Sequence, residues 1–259
     1  MKKSHCISFR FALACLAATG LVFLTGCETR SISNSGYRGG GYGYGGHRSD
    51  FPYRGELNEF DVLGVDRDQS VTDADIAKAL DSSGRVKVRR GNPILLIQSG
   101  AAFPDDPMVS ELNHFVSVVP FSGVPADARR TDASQEKEAH PSYGKSLRLA
   151  AAKGGCETIV CYWGVLESAR QDLGSKTISW VPIIGGAVPD EKQLMRIRLK
   201  VSVIDVRTGN WSVFSPEPIA DKAVSGSYRR EISDQAQVEK LKQKAYETAA
   251  KDLLRIYGS

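Results

Sequence analysis

The sequence has little of the residue types that carry metal and redox chemistry. It contains four histidines and five cysteines in 259 residues. Beyond the first few residues, the histidines are His47, His114 and His140, and these lie far apart in the chain. Zinc sites in enzymes usually place two ligands close together, as in an HExxH helix. We therefore expect no metal site and no cofactor.

Motifs for nucleophilic and phosphate chemistry are also lacking. The chain has no G-x-S-x-G sequence, and Gly185-Gly186 is not followed by the Lys-Ser/Thr of a Walker loop. The acidic pairs Asp66/Asp68, Asp73/Asp75 and Asp105/Asp106 fit turns and a helix cap. The sequence predicts no catalytic residues and a protein that is not an enzyme. The alternative is a periplasmic hydrolase whose active-site residues are dispersed along the chain.

The amino terminus has the pattern of a secretion signal. Lys2, Lys3 and Arg10 precede an apolar run, Phe11 to Leu24, that is too short to span a membrane as a helix. The run ends in Leu24-Thr25-Gly26-Cys27, which resembles the lipobox of bacterial lipoproteins. This resemblance implies a signal peptide over residues 1–26 and lipidation of Cys27. The alternative is an ordinary signal peptide followed by a chance cysteine.

The lipobox also implies where the protein resides. In that class of proteins three acyl chains, palmitate among them, are carried on the cysteine, and such an anchor holds a protein on a lipid bilayer essentially permanently. Glu28 follows Cys27, whereas an aspartate there would resemble an inner-membrane retention signal. In a Gram-negative host we therefore expect an outer-membrane lipoprotein facing the periplasm. In another host it would be anchored to the cell membrane.

The net charge argues against a nucleic-acid partner. Residues 1–26 contain three basic and no acidic residues, so their removal lowers the Lys and Arg count from 34 to 31, against 30 Asp and Glu. The basic character of the whole chain is largely a property of the signal peptide. A mature chain so close to neutral lacks the basic surface that nucleic-acid binding requires.

With Cys6 and Cys15 in the signal peptide and Cys27 lipidated, Cys156 and Cys161 are the cysteines that remain free to pair. Their spacing along one predicted strand would place them on opposite sides, which disfavours a bridge between them. We expect two buried thiols. A disulfide formed after local bending is the alternative.

Residues 27–58 have the composition of a flexible linker. Gly39 to Gly46 is mostly glycine, and the surrounding stretch is rich in tyrosine, arginine and serine. Such a sequence buries too little apolar surface to offset the entropy of ordering it. We expect a disordered tether about 30 Å in root-mean-square span. Its tyrosines and arginines could instead bind a glycan or an acidic polymer.

Residues 59–259 are predicted to form one folded periplasmic domain. Thr72 caps a short helix, and a long amphipathic helix closes the chain. The other predicted helices cover residues 106–114 and 141–154, and the strands are Ile94–Ile97, Phe115–Phe121, Thr158–Leu166, Arg196–Val203 and a strand from Trp211. The last helix has an apolar stripe of Val238, Leu241, Ala245, Ala249, Leu253 and Ile256 opposite a charged face of Lys240, Lys242, Lys244, Glu247 and Lys251. This order predicts an α/β (α+β) fold with a mixed sheet of about five strands flanked by helices.

The order of these elements resembles a known family. A helix ends at Gly154-Gly155, an apolar strand follows, and an alternating strand runs into the turn Asp205-Val206-Arg207-Thr208-Gly209. This pattern resembles the periplasmic lipoprotein domains related to CsgG of curli secretion and to LpoB, which share a fold with the amino-terminal domain of TolB. The resemblance covers residues 90–257. It implies a protein that binds envelope proteins or assembles with itself, without catalysis.

The segment Ile178 to Pro189 is the main candidate for partner binding. Two prolines and two glycines interrupt it, so it does not fit the membrane-spanning strands of the curli pore. One interpretation is an arm packed on its own domain. The other is an exposed apolar loop that binds a partner, since exposed apolar patches and tryptophan are typical of interfaces. The proposed contact residues are Trp180, Val181, Ile183 and Ile184.

Overall fold

The computed structural model describes residues 31–34, 53–67, 69–81, 84–125, 142–171, 178–182, 192–224 and 230–259. For the described residues within 168–193 and 222–235, the structure describes the backbone alone. The signal peptide, Cys27, and the polar stretch 126–141 lie outside the described residues, as do Ile183 and Ile184.

The described residues form a mixed α/β domain. The helices are α1 (Glu59–Leu63), α2 (Asp73–Asp81), α3 (Asp106–Asn113), α4 (Tyr143–Lys153) and α5 (Arg230–Tyr257). The strands are β1 (Pro93–Gln98), β2 (Ser117–Phe121), β3 (Thr158–Gln171), β4 (Ile178–Pro182), β5 (Lys192–Asp205), β6 (Trp211–Phe214) and β7 (Ile219–Val224). The predicted fold class and the long terminal helix are confirmed.

Seven strands form one sheet, where the sequence predicted about five. The main order is β2-β1-β3-β5-β6, with β1 parallel to both neighbours and β3 antiparallel to β5. Each of the two long strands, β3 and β5, pairs with two shorter strands along the same side. β3 pairs first with β1 and then with β4, while β5 pairs first with β7 and then with β6. The extra strands therefore arise because β3 and β5 extend well beyond the segments that the hydrophobic pattern marked.

Alternate side chains of the central strands enter two separate cores. Leu96 and Val160 lie in a cluster with the residues of α3 and α5, whereas Leu95 and Ile159 lie in a cluster with Leu147 of α4. Successive strand residues point to opposite faces, so the sheet is the middle of three layers. The near-continuous apolar sequence of β1 follows from this burial on both faces.

The terminal helix differs from the prediction at two positions. Lys242, assigned to the charged face, is only 1% exposed, and Ile256, assigned to the apolar stripe, is exposed. The other predicted stripe residues of α5 are buried. Lys242 follows Val238 by four positions and precedes Ala245 by three, so it lies on the buried face of the helix.

Cys156 and Cys161 are both buried and free, as expected. The predicted reason needs correction, because Cys156 lies in the turn before β3 and both thiols belong to the same core cluster. Burial raises the pKa of the Cys156 thiol and raises that of Cys161 well above its ordinary value. A thiol that stays protonated is a poor nucleophile.

Candidate functional site

The predicted partner-binding residues lie on and just after strand β4. Trp180 and Val181 pair through their backbones with Ala169 and Ser168 of β3. Among the described strands, β4 pairs with β3 alone. It is therefore an edge strand in the part of the chain that the structure describes.

An open cleft of about 510 Å³ lies between the middle parts of β3 and β5 and the chain before α1. We call it the Trp163 cleft. The indole of Trp163 donates a hydrogen bond to the carbonyl oxygen of Leu57 at 2.9 Å. Lys200 pairs with Glu59 at 2.8 Å on its rim. The lining residues are Leu57, Glu59, Trp163, Gly164, Val165, Glu167, Arg198, Leu199, Lys200 and Ser215.

Glu167 is the buried carboxylate of the Trp163 cleft. Arg196 Nε donates to one of its oxygens at 2.5 Å, and Arg198 binds the other. Burial alone would raise the pKa of Glu167, but hydrogen bonds and charge from the two arginines hold that pKa below its ordinary value. Glu167 therefore stays ionised near neutral pH, with both oxygens occupied, and is unsuited to general acid catalysis.

A short amino-terminal segment fills the edge of β3 between β1 and β4. We call Ser31–Asn34 the docked segment. Ser31 forms an antiparallel bridge with Val165, and Ile32 is 1% exposed within the core. A Cβ atom on Gly164 would lie 2.6 Å from Ile32 Cδ1 and 2.8 Å from Leu199 Cδ2. Only glycine leaves room for Ile32 at this point of the strand.

Hydrogen bonds fix the docked segment to the carboxyl end of β1. Ser33 Oγ donates to the carbonyl oxygen of Ser99 at 2.5 Å and accepts from Gln98 Nε2 at 3.0 Å. Ser31 Oγ donates to Glu56. The linker prediction over 27–58 is therefore corrected at Ser31–Asn34, because an isoleucine between serines reaches the core. Residues 35–52 lie outside the described residues.

Glu56 is a partly buried acid beside the docked segment. Burial raises its pKa, and hydrogen bonds from Ser31, Ser99 and Tyr53 offset part of that rise. Its Oε2 atom is buried without a hydrogen-bond partner among the described residues. The docked segment is therefore hydrogen-bonded to a carboxyl group whose neutral form is more favoured in the folded protein than it would be in water.

A buried polar network joins α5 to the carboxyl end of β1. Asp105 accepts from Lys242 Nζ at 2.9 Å and from the hydroxyl of Tyr246 at 2.5 Å. Gln98 Oε1 accepts from the hydroxyl of Tyr162 at 2.6 Å and from the Asp105 amide at 2.7 Å. Sequence reasoning missed this network, although a lysine on the apolar stripe of α5 was its visible signal.

Burial shifts the pKa of three groups of this network. Burial raises the pKa of Tyr162 and of Tyr246 well above their ordinary values, and it lowers the pKa of Lys242 although Asp105 opposes that shift. The phenols therefore remain neutral donors. Their role is to satisfy Asp105 and Gln98 inside the fold, which is a structural one.

A second cleft, of about 520 Å³, lies at the amino end of β3. Four cationic side chains line this basic cleft, together with Glu157 and Asp205. Arg89 pairs with Glu157 at 2.9 Å, and Asp205 accepts from the amide and the hydroxyl of Thr208. The cations are Arg85, Lys87, Arg89 and Arg207.

The described residues show neither a metal-binding cluster nor a membrane-spanning helix. Among the described residues, no group of three or more His, Cys, Asp or Glu side chains is placed to hold a metal ion. Within those same ranges, none of the helices is long and apolar enough to cross a membrane.

Solved structures of low sequence identity are among the matches to this chain. The hypothetical protein CT253 of Chlamydia trachomatis is 14% identical, with a TM-score of 0.33 over 64% of this chain and 98% of that one. A dodecameric PelC variant from Paraburkholderia phytofirmans is 13% identical, with a TM-score of 0.26 over 62% of this chain and 92% of that one. No curated protein matches the sequence.

A protein-family model gives a match over most of the domain. The model describes the YafT bacterial lipoproteins and matches residues 58–256, from the start of α1 almost to the end of α5. Those residues hold the basic cleft, the Asp105 network and all of the Trp163 cleft except Leu57, whereas the docked segment precedes them. The chain thus belongs to the YafT family of bacterial lipoproteins.

Proposed function

We propose that this lipoprotein is a non-catalytic interaction module of the cell envelope, anchored through acylated Cys27 and binding a protein partner along strand β4. The observation that carries the proposal is the position of β4, which lies at the edge of the sheet and bears Trp180 and Val181. The partner is an envelope protein or a second copy of the chain.

The anchor is supported by the sequence Leu24-Thr25-Gly26-Cys27 and by membership of a bacterial lipoprotein family. Glu28 in place of aspartate favours the outer membrane, with the domain facing the periplasm of a Gram-negative cell. The Cys27→Ser variant should incorporate no palmitate in metabolic labelling. Label that persists in this variant would place the lipid on another residue.

The chemistry of the two best-placed acids supports a binding role. Glu167 is held ionised by Arg196 and Arg198, and Asp105 is occupied by Lys242 and Tyr246. Glu167, whose pKa is lowered, is not suited to donate a proton at neutral pH. The thiol of Cys161 is completely buried with a raised pKa, so it is no candidate nucleophile.

Strand β4 supplies the surface for the partner. An edge strand presents unpaired amide and carbonyl groups to which another strand can add, and the neighbouring side chains then provide specificity. Trp180 and Val181 lie on this strand, and Ile183 and Ile184 follow it directly. Tryptophan is among the residues that contribute most to binding at interfaces.

The test combines a pull-down from envelope extracts with thermal unfolding of the domain. We expect Trp180→Ala combined with Ile184→Ser to lose the partner or shift the domain to monomer while its melting temperature stays nearly unchanged. Trp211→Ala is the matched control, because Trp211 is 47% exposed on another edge strand, β6. A double variant that is stable and unchanged in assembly would contradict the proposed interface.

A hydrolase screen on the same soluble domain tests the absence of catalysis. We expect no turnover of peptide, ester or glycoside substrates above the level of a heat-denatured sample. Robust turnover that a single Ser or Asp substitution abolishes would replace the interaction module with a hydrolase.

A further inference from the structure

We propose that the carboxyl end of strands β1 and β2 is the bilayer-facing surface of the domain, with Phe103 as its membrane contact. The ligand of this surface is the lipid headgroup and interfacial layer. The inference rests on the proposed acylation of Cys27 and adds to it the face of the domain that the lipid touches.

The distance between the lipid and the domain is limited by the covalent chain. Four residue steps separate Cys27 from Ser31, and a fully extended chain of that length spans at most about 14 Å. Ser31 is fixed to Val165, and Ile32 is buried against Gly164. Ser31 is therefore held within about 14 Å of Cys27 and its acyl chains. This distance cannot grow unless Ile32 leaves the core.

The glycine-rich stretch does not lengthen this connection. Ser33 before it is bonded to Ser99, and Tyr53 after it donates to Glu56 Oε1 at 3.3 Å. A Cβ atom on Gly100 would contact both Tyr53 and Glu56, so both flanks meet at the carboxyl end of β1. The described flanks of residues 35–52 therefore lie together at the carboxyl end of β1, and the covalent path from Cys27 to Ser31 does not include that stretch.

Two exposed aromatic residues lie at this same end. Phe103, 71% exposed, is in the loop that follows β1, and the bond from the Asp105 amide to Gln98 closes that loop onto the strand. Phe121, 38% exposed, is the last residue of β2. Because β1 and β2 are parallel, their carboxyl ends lie at the same end of the sheet.

Aromatic rings at such a position suit a membrane interface. A large exposed phenylalanine is costly in water, and aromatic side chains are enriched where the headgroups meet the hydrocarbon. The opposite end of the sheet carries the cationic side chains Arg85, Lys87 and Arg207 around the basic cleft. The carboxyl end of β1 and β2 combines the exposed phenylalanines with the short chain connection to Cys27.

The experiment uses the full acylated protein in phospholipid vesicles that contain a quencher at the level of the headgroups. An environment-sensitive fluorophore is attached at Phe103→Cys, and the matched control carries it at Trp211→Cys. Trp211 is also a large exposed apolar residue, but it pairs with Ile204, near the amino end of β3. Cys156 and Cys161 are buried, which limits labelling of the native thiols.

We expect quenching several-fold stronger at position 103 than at position 211. A twenty-residue Gly-Ser spacer inserted between Arg30 and Ser31 should reduce the quenching at 103 while palmitate incorporation continues. Palmitate incorporation with equal quenching at the two positions would overturn this inference alone. Absence of palmitate from the wild-type protein would overturn the anchor as well.

Discussion

Ile32 occupies the space that a side chain on Gly164 would fill. This contact joins the docked segment to the middle of the sheet. It brings Ile32, which lies just before the glycine-rich stretch, into the core.

Truncating Ile32 should release the docked segment. Ile32→Ala removes three buried carbons and is expected to cost about 2–4 kcal/mol in the free energy of docking, whereas Ile32→Val should cost about 1 kcal/mol. Amide exchange at Ser33 and at Val165 measures the loss of protection. Equal protection in the wild-type and alanine proteins would show that the bridge from Ser31 to Val165 does not depend on Ile32.

Removing Asp105 should destabilise the domain strongly. Asp105→Ala leaves the Lys242 ammonium buried and without its carboxylate partner, at an expected cost of about 3–5 kcal/mol. The double variant Asp105→Ala/Lys242→Met should recover most of that loss, because no buried charge remains. Urea unfolding measures the stability of the two variants. A double variant that is no more stable than Asp105→Ala would contradict this explanation of the loss.

Glu56 should make the stability of the domain decrease as pH rises. Burial raises the pKa of Glu56, so the folded protein keeps this proton at pH values where the unfolded chain has lost it. The free energy of unfolding therefore decreases from the ordinary glutamate pKa of about 4.3 up through the raised value. The urea midpoint should decrease across this pH range in the wild type by more than in Glu56→Gln. Parallel curves of midpoint against pH for the two proteins would contradict the prediction.

Glu167→Gln should destabilise the domain at neutral pH and by less in acid. The pKa of Glu167 lies below its ordinary value, so its contribution is present above the ordinary pKa and is lost as pH falls through the lowered one. At neutral pH the variant removes the carboxylate charge that Arg196 and Arg198 share, and because Arg198 is half exposed we expect a loss of about 2–3 kcal/mol in the free energy of unfolding. Thermal unfolding at neutral and acid pH should show the stability difference between the wild type and the variant narrowing in acid.

The sequence predicted those parts of the fold that depend on local periodicity. The apolar run of β1, the helix ending at Gly154 and the stripe of α5 follow from patterns of two or about four residues. The extension of β3 to Gln171 and of β5 from Lys192 could not be predicted in this way. Those halves are stabilised by pairing with β4 and β7, which is a relationship between distant segments.

The candidate site was visible only in part for a similar reason. Trp180 and Val181 were identified from composition, and the structure adds that β4 is an edge strand. The docked segment was missed because one isoleucine among serines carries no periodic signal. Its burial depends on the absence of a side chain at Gly164, which lies far along the chain.

The separation of Ile32 from Gly164 has a consequence for the order of folding. More than half of the chain lies between these two residues, so Ile32 has no slot to enter until β3 has formed and paired with β5. Docking of Ile32 therefore follows assembly of the central strands, because it closes a contact between residues that are distant in sequence.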